Sequence, residues 1–115
     1  MNDSWGALNL SGNEYRLVLS TCSDKSTANT LATTLVEENL AACVNVVDNI
    51  HSIYRWREKV ESCQEYLLII KIKAANYDKV EKRITELHPY ELPEIIAVPI
   101  TAGLPAYLNW IDNPQ

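Results

Sequence analysis

Ala41-Ala42-Cys43-Val44-Asn45-Val46-Val47-Asp48-Asn49-Ile50-His51-Ser52-Ile53 holds five Val or Ile residues and no proline or glycine. That composition predicts one long strand, most β-like at Cys43–Val47. Tyr54-Arg55-Trp56-Arg57 continues it in extended form, and Glu58-Lys59-Val60-Glu61 reads as a polar, turn-like interval. A second long strand is expected from about Gln64 to Lys73, with Tyr66-Leu67-Leu68-Ile69-Ile70 at its heart. So unbroken an apolar run suggests a strand covered on both faces. The pair forms a hairpin, and the fold follows from what flanks it.

Upstream, Tyr15-Arg16-Leu17-Val18-Leu19-Ser20-Thr21 alternates as a strand does. Ser23-Asp24 then supplies a helix cap, and Ala28, Leu31, Ala32, Leu35, Val36 and Leu40 form one apolar stripe. The helix is expected to run to about Asn39. Downstream, Asn76 is a plausible cap for a second helix lined by Tyr77, Val80, Ile84 and Leu87, which Pro89 stops. Glu94 to Ile100 reads as a fourth strand, and Pro105 opens a short terminal helix with Leu108 and Ile111 inward. Two βαβ halves joined by a hairpin predict an α+β fold, the ferredoxin-like split βαβ sandwich, with a C-terminal helix. Residues 13–115 make a single domain, and residues 1–12, without apolar periodicity, read as a flexible extension.

Composition bounds the function. The chain has 115 residues and a formal charge of −5, from fifteen acidic and ten basic side chains. It has no basic cluster to displace counterions from phosphates, so nucleic acid is not an expected partner. No apolar run approaches the roughly 20 residues of a membrane span, so no membrane association is expected. The N-terminal stretch lacks the basic start and apolar core of a signal peptide, which makes the cytoplasm the expected compartment. Cys22, Cys43 and Cys63 are odd in number and widely spaced, unlike a disulfide framework or a zinc knuckle.

Chemistry-bearing motifs are few. There is no nucleophile elbow, phosphate-binding glycine loop or His-Glu-x-x-His helix, so an enzyme is not expected. Cys22 lies between the first strand and the first helix, where a thiol can acquire a lowered pKa and bind a soft metal, or simply be an inert loop thiol. Cys43 suits a small buried hydrophobe, and Cys63 an exposed hairpin thiol. His88 follows the second helix and either meets its C-terminal carbonyls or serves as a metal ligand. His51 carries a weaker form of the same choice. Tyr54 and Trp56, beside Arg55 and Arg57, fall on an arm beyond the reach of two covering helices. They point to a subunit interface, or else to packing on the terminal helix with Trp110.

Several of these segments together resemble the CutA family. They are Leu40-Ala41-Ala42-Cys43-Val44-Asn45, Tyr54-x-Trp56-x-x-Lys59-Val60-Glu61, Glu65 to Lys71, His88-Pro89-Tyr90-Glu91-Leu92-Pro93-Glu94-Ile95-Ile96, and Tyr107-Leu108-x-Trp110-Ile111. The resemblance covers roughly residues 15 to 112. It implies a homotrimer of ferredoxin-like protomers, a role in divalent-cation tolerance, and binding of copper or another divalent metal ion. It also implies a likeness to trimeric PII-type signalling proteins, hence the alternative of a small ligand held at intersubunit clefts. In the bacterial pattern a Cys ends the first strand and a His-His pair precedes Pro-Tyr. Here Ser20 takes the first position, with Cys22 two residues later, and Leu87-His88 replaces the pair. The metal candidates are therefore His88 and, as a displaced substitute, Cys22. Tyr90, Glu94, Lys71 and Cys43 are the further motif positions that suggest a cleft, Glu94 and Lys71 as a buried ion pair.

Overall fold

The computed structural model describes residues 14–114, so the extension expected over 1–12 lies outside them. The strands are β1 (Tyr15–Cys22), β2 (Cys43–Trp56), β3 (Lys59–Lys73) and β4 (Ile96–Pro99). The helices are α1 (Lys25–Glu37), α2 (Tyr77–Leu87) and α3 (Pro105–Asp112). One antiparallel sheet has the order β2-β3-β1-β4. β1 and β2 are therefore parallel with β3 between them, and β3 and β4 parallel with β1 between them. Two interleaved split βαβ units result, as the element order predicts.

Asp24 caps α1 by accepting from the Thr27 N–H at 2.7 Å. The helix ends at Glu37, two residues short of the expected limit, because Asn39 turns left-handed at φ 60°. Asn76 does not cap α2 with its side chain. It donates instead to the carbonyls of Asn39 and Leu40, at 3.4 and 3.2 Å, and ties the end of α1 to the start of α2. β4 is shorter than the run 94–100, with Pro99 closing it.

The hairpin turn is tighter than the polar interval suggested. Arg57 and Glu58 alone form it, at φ 49° and 70°, the left-handed pair that a two-residue hairpin of the I′ kind requires. β3 therefore starts at Lys59, and all of Lys59–Glu61 is strand. One extra residue in β2 between Val47 and Ile50 makes a bulge, with Asn49 left-handed and its side chain taking the Gln64 amide N–H at 3.1 Å.

Burial is one-sided. Val18, Leu68, Ile70 and Ile72 point to the helices and close a core with Leu31, Leu35, Val80 and Ile84. Alternation sends Leu17, Leu19, Leu67 and Ile69 to the other face, where Ile96, Val98 and Val47 extend the apolar surface across β4 and β2. Among the described residues, cover on that face is confined to its two ends: α3 packs Leu108 and Ile111 against Tyr15 at one, and Tyr90 lies against Glu65 at the other. Cover on both faces of β3 is thus incomplete within one chain: Ile96 stays 51% exposed, Val98 40% and Val47 38%.

Candidate functional site

β1 stops at Cys22, opposite Tyr66, while β3 reaches back to Lys59. The last turns of the hairpin therefore project as an arm paired only to itself. Into the space beside it comes the connection from α2 to β4. Pro89 and Pro93 keep this stretch out of helix and strand, and it crosses the end of β1.

His88 anchors the connection. Its N–H donates to the Ile84 carbonyl at 2.8 Å, but its ring turns from the helix end toward β1. Nδ1 accepts the Tyr90 N–H at 3.1 Å, which leaves the ring hydrogen on Nε2, 2.7 Å from the Thr21 carbonyl. The ring is 7% exposed and lies 4.5 Å from that of Tyr90. Both nitrogens are thus committed to backbone partners.

Tyr90 carries the connection onward to the arm. Its hydroxyl donates to Glu65 Oε2 at 2.7 Å. Burial, then this bond, push the phenol pKa well above its ordinary value. Glu65 is a carboxylate inside a strand, yet only 6% exposed. A buried carboxylate needs such a donor.

Cys22 sits at the same end of β1, with its side chain fully buried on the helix-covered face. Its Sγ is 3.7 Å from the Asp24 carbonyl, and burial first, then the Asp24 charge, raise the thiol pKa. The helix N-terminus does not turn it into a thiolate, the form that binds metal. The fold therefore brings His88 to the peptide bond preceding Cys22 while leaving no lone pair open on the ring. Among the described residues no three His, Cys, Asp or Glu side chains converge on a point that could hold one ion.

The other motif residues are scattered. Lys71 donates to the Tyr107 hydroxyl at 3.3 Å and stands 5.6 Å from its ring centroid. Glu94 is exposed, so the expected buried pair with Lys71 does not form. Cys43 is half-buried opposite Lys71, and His51 is exposed opposite Gln64. Trp56 pairs with Lys59 at the far end of β3 from the Lys71 and Lys73 that α3 meets, about 40 Å away along the strand. The arm does not pack on the terminal helix.

What the arm and the connection do enclose is a cleft of about 590 Å³. Tyr54, Trp56 and Tyr90 wall it, and Glu65, Glu91 and Glu94 line it. Arg57 closes its mouth, 3.0 Å from Glu91 and 5.2 Å from the Trp56 ring centroid. Sequence reasoning found the aromatics, Tyr90 and Glu94, but missed Thr21 and Glu65. The available signal was a lone carboxylate inside the otherwise apolar strand that follows Gln64.

Known proteins give this geometry a family. The model of the CutA1 divalent ion tolerance protein matches residues 16–114. The divalent-cation tolerance protein CutA of Thermus thermophilus is 46% identical over 95 residues, 83% of this chain and 92% of that protein. The chloroplastic CutA protein of Arabidopsis thaliana is 41% identical over 97 residues, where the chain spans only 53% of the relative's length. Among solved structures, CutA of Xylella fastidiosa superposes with a TM-score of 0.84 at 44% identity, over 86% of this chain and 95% of that one. CutA1 of Oryza sativa gives 0.85 at 39%, over 87% and 92%. By sequence over nearly all the described residues, and by fold, the chain belongs to the CutA1 family of divalent ion tolerance proteins.

Proposed function

We propose that this chain acts in divalent-cation tolerance as a homotrimer rather than as an enzyme, and that it takes up copper or another divalent ion weakly through His88 with help from Cys22. The tolerance role follows from family membership. The assembly is carried by one observation: the apolar sheet face that the chain's own elements leave open. A face of that kind calls for a partner surface, and a head-to-tail contact that closes on itself gives a ring. The long hairpin adds unpaired strand edges at the same place, which a second copy can pair.

Weak uptake follows from the bonds already made. An ion reaching His88 must displace either the Tyr90 N–H from Nδ1 or the Nε2–H bond to Thr21, and Cys22 must lose a proton inside the core. Each step costs free energy that coordination must first offset. Calorimetric titration of Cu²⁺ into the wild type and His88→Ala tests this. Binding in the wild type and its loss in the variant are expected. Equal affinity in both removes His88 from the site.

A second reading, a PII-like trimer that binds a small ligand, is favoured by the cleft. Its volume of about 590 Å³ falls in the range of small-molecule sites, and its mixture of aromatic walls with a few polar groups is the usual make-up of such a site.

A further inference from the structure

We propose that the cleft between the hairpin arm and the Tyr90–Glu94 segment binds a small organic cation, a primary ammonium or guanidinium group on an apolar body. This rests on the ligand-cleft reading above and adds the chemical class. Charge is the first argument. Glu65, Glu91 and Glu94 line the cleft with Arg55, and Arg57 pairs with Glu91 at its mouth, so carboxylates outnumber guanidinium groups three to two. Glu65 and Glu94 make no ion pair among the described residues. An anion entering it would meet Glu65, whereas a cation is drawn in by the site and by the chain's overall charge of −5.

The second argument is the state of Glu65. Its side chain is more than nine-tenths buried, yet among the described residues only Tyr90 hydrogen-bonds it, through Oε2. Oε1 is left for an incoming N–H donor at the cleft wall, where a charge-assisted bond is strongest. The third argument is the molecule's own usage. At the mouth, Arg57 already stands over the Trp56 ring while pairing with Glu91. A cation held between an aromatic face and a carboxylate is the arrangement that a ligand would repeat deeper, between Tyr54 or Tyr90 and Glu65. A bare metal ion fits less well, since the carboxylates do not converge, whereas an organic cation has a body that fills the space between them.

Three isosteric probes differing in charge test the proposal on the full chain: benzylamine, benzyl alcohol and benzoate, followed by calorimetry. Benzylamine should bind at least about tenfold more tightly than benzyl alcohol, the worth of one charge-assisted hydrogen bond, and benzoate should not bind. Glu65→Gln should lower benzylamine affinity by about the same factor. Glu94→Gln, an exposed lining residue outside the arm, should lower it too, and decides the matter if Glu65→Gln does not fold. Binding of benzoate as tight as that of benzylamine would keep the cleft as a ligand site and overturn its preference for cations. No binding of any probe, or unchanged benzylamine affinity in the folded variants, removes the proposal; the first of these also removes the ligand-cleft reading.

Discussion

Tyr15, at the start of β1, donates its hydroxyl to Asp112 of α3 at 2.9 Å, and its carbonyl accepts the Ile100 N–H at 3.0 Å. Burial, then the Asp112 bond, push its pKa up to about 12 from 10.0. A pKa raised on folding means that the neutral phenol is what the native state favours. The stabilisation is complete below pH 10 and is lost as pH rises from 10 through 12. Urea unfolding over that interval should show the wild type losing more stability than Tyr15→Phe, which has no proton to release. Parallel loss in both would mean that Tyr15 is not the group responsible. The same scale shows why the site was half legible. His88 stands out in the sequence by its place after α2, and it does organise the connection. Its partners, however, are the Thr21 carbonyl and the Tyr90 N–H, backbone groups present at every residue and marked by no letter in the sequence. Glu65 is inconspicuous in the sequence for a related reason: what makes it notable is burial, which depends on a loop 25 positions away.

At the scale of elements, periodicity carried most of the fold. The apolar stripe of α1 and the alternation of β1 both reflect one buried face, so their placement was legible. The ends were less so, because they depend on left-handed backbone at residues other than glycine. Asn39 ends α1 and Asn49 bulges β2, roles asparagine fills well, but Arg57 and Glu58 occupy a turn that usually draws Asn-Gly. Their side chains give no sign of it, and the sequence instead suggests a turn over Glu58 to Glu61. Glu58, at φ 70°, holds a conformation unfavourable for a residue with a Cβ. Glu58→Gly should therefore stabilise the protein by up to about 1 kcal/mol in denaturant unfolding. A loss of stability would show that Glu58 makes a compensating contact in the assembled protein.

For the whole molecule, one chain leaves its sheet half-covered. The continuous apolar run of β3 suggests a strand buried on both faces, yet the chain covers one face and part of the other. An apolar run calls for burial, whereas the fold of one chain accounts only for what that chain can cover. The difference between them, with Leu92 and Leu104 at 71% and 70% exposed on nearby loops, is the physical case for self-association. The arm is its natural lever, since it extends a protomer measuring 51 × 29 × 24 Å well beyond its helices. Sedimentation equilibrium of the full chain tests this most directly. The account predicts a single species of three times the 13.0 kDa protomer mass, and a species at 13.0 kDa would contradict it.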